Sequence, residues 1–259
     1  MILNYKGINL YYTDQGRGSA IVLLHGFLEN SSMWDDITPT LIKKNRVICI
    51  DLLGHGNTDC LGYVHSMELM ADAVSAVLKH LKIRRSTFIG HSMGGYVALA
   101  FAEENPDALK GLCLMNSTAS ADTEEKKHNR NRAILAVKQN HKTFIRMAIG
   151  NLFRPKNRKL FADKIKETTQ KAQQTHLQGI IAALEGMKIR NDREALLHFT
   201  PFKKMMIAGK KDPVLNYDNL VEQTKNTEVH LVTLPDGHMS HIENKDIFLL
   251  EIIHFIEKI

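Results

Sequence analysis

The sequence predicts an α/β fold: a mostly parallel central sheet of about eight strands, flanked by helices and carrying an inserted helical lid. Three observations predict it. Short apolar runs such as Ala20-Ile21-Val22-Leu23-Leu24 and Arg46-Val47-Ile48-Cys49-Ile50 alternate with segments of helical period, the pattern of βαβ units. That alternation stops after Ser117 and resumes at Met205, with only helix-like stretches between. Finally, Thr87-Phe88-Ile89-Gly90-His91-Ser92-Met93-Gly94-Gly95 sets a serine among glycines, after an apolar run and ahead of an alanine-rich helix.

In chain order, Met1-to-Lys6 and Ile8-to-Thr13 alternate apolar and polar residues about Gly7 and predict a hairpin. Gly16-Arg17-Gly18 predicts a turn. Ala20-to-Leu24 then reads as a strand buried on both faces, ended by His25-Gly26. Asn30 or Ser31 is placed to cap one helix running to Lys43 or Lys44, with Pro39 as an irregularity. Arg46-to-Ile50 is the next buried strand, followed by the loop Asp51-Leu52-Leu53-Gly54-His55-Gly56-Asn57. Ser66 starts a helix to about Lys82, with Leu69, Ala73, Val77 and Leu81 along one face. The serine turn and its helix follow, closed by Asn105-Pro106, and Gly111-to-Asn116 is another strand. From Asp122 to Lys188 the segments are helical. Met205-to-Gly209 and Glu228-to-Leu234 predict strands, with helices near Tyr217-to-Thr224 and Asp246-to-Glu257. The expected organisation is a sheet core of residues 1–117 and 199–259, with a helical lid of residues 118–198 over the sheet's carboxyl edge, where open α/β sheets bind ligands.

A chain of 259 residues with 44% hydrophobic and 24% charged content has the composition of a globular protein with a large core. No apolar run reaches membrane-span length, and Met1-Ile2-Leu3-Asn4-Tyr5-Lys6-Gly7 lacks the basic-then-apolar pattern of a signal peptide. Three cysteines without metal-ligand spacing predict free thiols and no metal or cofactor. The expected location is cytoplasmic. The net charge of +6 is uneven: residues 118–198 hold 17 Lys+Arg and 8 Asp+Glu, leaving 17 basic and 20 acidic elsewhere. A basic run most often solvates a helical surface; here it is also a field that would draw an anionic substrate toward a nearby cleft. No aromatic interleaving or binding motif accompanies the charge, which argues against nucleic acid. The expected partner is a small molecule.

Gly90-His91-Ser92-Met93-Gly94 fits G-x-S-x-G, and a strand before it and a helix after it are the setting of a nucleophile elbow. Roughly one chain in ten of this length carries the motif by accident, so its partners decide the reading. A serine hydroxyl needs a base to take its proton, and the base needs an orienting group. Asp212, in Gly209-Lys210-Lys211-Asp212-Pro213-Val214, follows a strand and suits the orienting role. His238, in Pro235-Asp236-Gly237-His238, follows the next strand and suits the base; His241 is its local competitor. The oxyanion of an acyl-transfer intermediate needs two N–H donors. Met93 supplies one, and Phe27, turned inward by Gly26, the second. His25, Leu28 and Tyr96 are candidate substrate contacts, and Leu152, Phe153 and Leu177 are candidate lid linings.

Together, His25-Gly26-Phe27, Asp51-Leu52-Leu53-Gly54-His55-Gly56, Gly90-to-Gly95, Asp212-Pro213-Val214 and Gly237-His238-Met239-Ser240-His241-Ile242-Glu243 resemble the motif series of the α/β-hydrolase family, and residues 118–198 resemble its helical lid. Two positions depart from the family pattern, Ser19-Ala20 and Lys245, where relatives often carry proline. The resemblance implies a serine hydrolase cleaving carboxylic esters or thioesters through an acyl-enzyme with a Ser92–His238–Asp212 triad. Serine at 92 argues against the branches resembling dehalogenases and epoxide hydrolases, which use aspartate. A menaquinone-biosynthesis-type lyase or a carbon–carbon bond hydrolase on an anionic substrate is the alternative, and a weakly catalytic ligand-binding receptor is a third. Arg130, Arg132, Arg146 and Arg154 are the lid arginines available to a carboxylate, and spacing does not distinguish them.

Overall fold

Eight strands form one sheet in the computed structural model, which describes residues 1–259: β1 (Ile2–Tyr5), β2 (Ile8–Gly16), β3 (Ser19–Leu24), β4 (Asn45–Ile50), β5 (Ser86–His91), β6 (Leu109–Met115), β7 (Lys203–Gly209) and β8 (His230–Leu234). Their spatial order is β1-β2-β4-β3-β5-β6-β7-β8. The β1–β2 and β2–β4 pairs are antiparallel; every pair from β4 onward is parallel. The β1–β2 hairpin turns on Lys6 and Gly7, both at positive φ, as a two-residue turn matched to strand twist requires.

The helices are α1 (Thr38–Leu41), α2 (Met67–His80), α3 (Met93–Glu104), α4 (Glu124–Gln139), α5 (His141–Leu152), α6 (Ala162–Ala172), α7 (Leu177–Lys188), α8 (Ala195–Phe199), α9 (Tyr217–Thr224), α10 (Ser240–Glu243) and α11 (Lys245–Glu257). Strand alternation divides the core into two layers. Val22, Leu24, Ile48, Ile50, Phe88 and Leu112 face α2, α3 and the helices inserted between β6 and β7. Ile21, Leu23, Val47, Ile89 and Cys113 face Trp34, Leu41 and the apolar side of α11. No helix is long and apolar enough to cross a membrane.

The structure departs from the sequence expectation in four places. The single helix expected from Asn30 to Lys43 is a 3₁₀ turn (Ser31–Trp34), capped by Asn30, followed by the four residues of α1. Pro39 opens α1; it has no N–H to continue a ladder from the preceding turn. The buried side of α2 is Met67, Met70, Ala71, Ala73, Val74, Val77 and Leu78, with Leu69 and Leu81 only half-buried. This wider stripe follows from packing against both α3 and the β1–β2 hairpin. The helices α8 and α10 were not expected, being too short to show a period.

The inserted helices seat on the core through backbone contact. A Cβ on Gly186 of α7 would overlap the His65 carbonyl, and one on Gly179 would overlap the Gly54 carbonyl. The His65 N–H in turn donates to the Ala182 carbonyl at 2.9 Å. Gly186→Ala is therefore expected to cost about 1–3 kcal/mol by overpacking, read as a several-degree fall in Tm. An unchanged Tm would mean that α7 can shift freely.

Candidate active site

The carboxyl ends of the parallel strands carry the candidate residues, and the turn after β5 is the most constrained. Ser92 has φ 50° and ψ −113°, a conformation that costs a non-glycine residue about 1–3 kcal/mol. Hydrogen bonds hold it: Ser92 N–H donates to Met115 O at 2.9 Å, and its carbonyl accepts from Ser117 Oγ at 2.7 Å and Gly95 N–H at 2.9 Å. The flanking glycines are required by contact, since a Cβ on Gly90 would strike the Gly94 carbonyl and one on Gly95 the Ser117 side chain.

The loops after β7 and β8 bring Asp212 and His238 together. His238 Nδ1 lies 2.7 Å from Asp212 Oδ2, and both side chains are buried. Asp212 Oδ1 accepts from the N–H groups of Val214 and Leu215 at 2.8 and 3.0 Å, and Asn116 Nδ2 donates to Oδ2 at 3.1 Å. Burial alone would raise the Asp212 carboxyl; His238 and the two backbone N–H groups outweigh it and hold the carboxyl below the usual range. An ionised Asp212 assigns the ring proton to Nδ1, leaving Nε2 as the acceptor. His241 makes no contact with Asp212. It is buried in α10 with its pKa pushed down to about 3, chiefly by burial.

A cleft of about 110 Å³ brings Ser92 and His238 together with Phe27, Leu28 and Tyr96. Arg130, Ala148, Leu152 and Met187 of the inserted helices close the other side. Of the expected lid linings only Leu152 is there; Phe153 is fully buried core and Leu177 is exposed. The Phe27 N–H has no acceptor within the protein. Met93 heads α3, where helix geometry leaves the first N–H groups free. Leu28 holds a left-handed φ of 64° at the cleft wall. His25 does not line the cleft. It is fully buried, with Nδ1 bonded to the Gly26 carbonyl at 2.7 Å and Nε2 accepting from Leu52 N–H at 2.9 Å. Its ring is committed to two loops and is unavailable to substrate. Gly26 keeps an ordinary φ; its glycine is required because a Cβ would meet Glu29 Oε2 and His91 Nδ1.

Those two side chains form an arrangement that sequence reasoning missed. Glu29 Oε2 lies 2.6 Å from His91 Nδ1 and accepts from Gly26 N–H at 2.8 Å, while His91 Nε2 lies 3.0 Å from the His238 carbonyl. Both partners of the imidazole are acceptors, so it carries both protons. Burial would discharge His91, but Glu29 raises it; burial would raise Glu29, but His91 brings it to about 2. No pattern in the sequence joins Glu29 to His91, 62 residues away. Asn116, which also braces Gly237 O at 3.2 Å, was legible only as the end of a strand.

A fold of this topology with a strained serine at its strand–helix turn defines the class, and direct comparison agrees. The family model of the alpha/beta hydrolase fold matches residues 19–245, and the chain belongs to that family. Among solved structures it is similar to a thermophilic esterase from Thermogutta terrifontis with malate bound (29% identity, TM-score 0.92, 99% of this chain and 96% of that one). It has the fold of an enol-lactonase from Burkholderia xenovorans (22% identity, TM-score 0.91, 99% and 100% covered). Among curated proteins it is 27% identical over 254 residues to the dihydrolipoyllysine-residue acetyltransferase component of a Pseudomonas putida acetoin cleaving system. That match takes in 93% of this chain, which spans 64% of that relative's length.

Two outcomes follow from the buried charges. Glu29→Gln keeps an acceptor for Gly26 but removes the counter-charge of His91, and is expected to cost roughly 3 kcal/mol and lower Tm by about 6–12 °C. His55, His65 and His241 are held neutral chiefly by burial, at about 3, 4 and 3, against an ordinary 6.5. Between those values and 6.5 the unfolded chain binds more protons, so their contribution is complete above pH 6.5 and declines as pH falls toward 4. Unfolding near pH 5 should take up about three protons through them, measurable from stability against pH. A flat profile from pH 6.5 to 4 would contradict it.

Proposed function

We propose that the protein is a serine hydrolase of carboxylic esters or thioesters, working through an acyl-enzyme. The observation that carries the reading is the His238–Asp212 pair at 2.7 Å beside a serine held on a strained turn in the same cleft. The esterase of 29% identity, matched over nearly its whole length, supports ester as the bond cleaved.

In this mechanism Ser92 Oγ attacks the substrate carbonyl while His238 Nε2 takes its proton. The bond pair moves onto the carbonyl oxygen, which accepts hydrogen bonds from the N–H groups of Phe27 and Met93. Collapse of this intermediate expels the alcohol or thiol, which receives the proton from His238. Water then enters, gives a proton to Nε2 and attacks the acyl carbon; collapse returns that proton to Ser92 and releases the carboxylic acid. Asp212 keeps the proton on Nδ1 and stabilises the imidazolium formed at each attack. Each oxyanion N–H is worth about 10²–10³ in rate. Ala148, Leu152 and Met187 restrict water around the acyl group, strengthening those hydrogen bonds.

The test is hydrolysis of short-chain 4-nitrophenyl esters. Ser92→Ala is expected to lower kcat by on the order of 10⁶, and Asp212→Asn by about 10⁴, through the wrong His238 tautomer. Equal rates in wild type and Ser92→Ala would end the nucleophile assignment. A fluorophosphonate probe should label wild type at Ser92 and leave the alanine variant unlabelled.

A further inference from the structure

The wall of the cleft opposite Ser92 holds more positive charge than the protein neutralises. Of the four candidate lid arginines, Arg132 and Arg146 are exposed, and Arg154 is taken by Asp236 at 2.8 Å. Arg130 alone lines the cleft with Ser92 and His238. Its Nε and Nη2 engage Asp122, the latter at 3.3 Å, while Nη1 meets only Met187 Sδ at 3.4 Å, a weak acceptor.

Asp122 is shared. Its side chain is fully buried, and Oδ1 also takes Arg190 Nη1 at 2.5 Å. Arg190 is itself buried and stacks on Tyr96, another cleft residue, with 4.1 Å from Cζ to the ring centre. Its remaining bonds run from Nη1 to Met187 O and from Nε to Ser120 O, and Nη2 has no acceptor. Lys126 stands one turn before Arg130 on α4, half-buried, with no ion pair. Burial first, and then Arg190, pushes its ammonium below the ordinary lysine value. Three cations thus face Asp122, with Asp212 the other carboxylate acting on Lys126, which leaves a surplus of one positive charge where surplus charge is costly. An incoming anion relieves that cost, and the low local dielectric strengthens its attraction.

We propose that this edge of the cleft is a carboxylate subsite: the substrate is a half-ester or half-thioester whose free carboxylate is received at Arg130, within the field of Arg190 and Lys126, while its acyl carbonyl reaches Ser92. This rests on the ester-cleaving reading of Ser92 and narrows it to acid-ended acyl compounds. Seven of the eleven cleft residues are hydrophobic, which suits a short methylene chain between the two polar ends. A planar carboxylate suits what remains of Arg130: Asp122 occupies Nε and one hydrogen of Nη2, which leaves the Nη1–Nη2 edge as a two-pronged donor.

The experiment compares monomethyl glutarate with methyl hexanoate by pH-stat, at low salt, in wild type, Arg130→Gln and Lys126→Gln. The acid-ended ester is expected to have the higher kcat/KM by tenfold or more. That preference should fall at least tenfold in Arg130→Gln, several-fold in Lys126→Gln, and with added sodium chloride. An acid-to-neutral ratio near one in wild type, or a ratio that neither substitution moves, overturns the subsite. Lys126 lies outside the Asp122 hydrogen bonds, so its variant decides the matter if Arg130→Gln does not fold. If no ester is cleaved at all, the esterase reading fails separately, and the subsite is read by binding: glutarate should raise the Tm of Ser92→Ala but not of the Arg130→Gln/Ser92→Ala double variant. Inorganic phosphate stabilising Ser92→Ala more than glutarate does would overturn the choice of carboxylate.

Discussion

A single buried ion pair, Glu29 with His91, ties together the three loops on which the site depends. Glu29 grips the backbone of the loop after β3 through Gly26 N–H, and His91 is the last residue of β5, next to Ser92. The far nitrogen of His91 holds the carbonyl of His238. The distances among the loop after β3, the serine and the histidine are therefore set by one charged contact in low dielectric, where such bonds are short and directional. Its cost is the desolvation of two charges, offset by the bonds of Glu29 Oε2 to Gly26 N–H and of His91 Nε2 to His238 O, while Glu29 Oε1 stays buried without a partner.

The His238 backbone links this arrangement to the inserted helices. Its carbonyl is held by His91 from the core, and its N–H donates to Leu152 O, at the end of α5, at 3.0 Å. Leu152 also lines the cleft. A displacement of α5 would therefore be felt at the imidazole through one hydrogen bond. The helices that shape the pocket also help to position the His238 imidazole.

Much of this was legible in the sequence for local reasons. Two-sided burial makes an apolar run, so β3, β4, β5 and β6 stood out. The sharp turn at Ser92 needs glycines at fixed offsets. Asp212 and His238 could be named because each follows a strand and falls in the loop where a parallel sheet collects its ligands. What was not legible had a non-local cause. Pro39 breaks a helix that capping signals alone extend. Met67, Met70, Ala71, Val74 and Leu78 of α2 join its core because the β1–β2 hairpin, distant in sequence, supplies a second packing surface. His25 sits in a motif beside the site, yet its ring is consumed by Gly26 and Leu52.

The sequence by itself determined the sheet, the serine turn and the two strand-end residues that pair beside it, because each depends on contacts within a few residues or on strict periodicity. Only the tertiary structure decided which of the four candidate lid arginines lines the cleft with the serine. Arg132 and Arg146 remain in solvent and Arg154 is bound to Asp236, whereas Arg130 enters the cleft and shares Asp122 with Arg190. A helical pattern defines a face but not what that face packs against, and Asp122, Tyr96 and Arg190 come together from three separate stretches of chain.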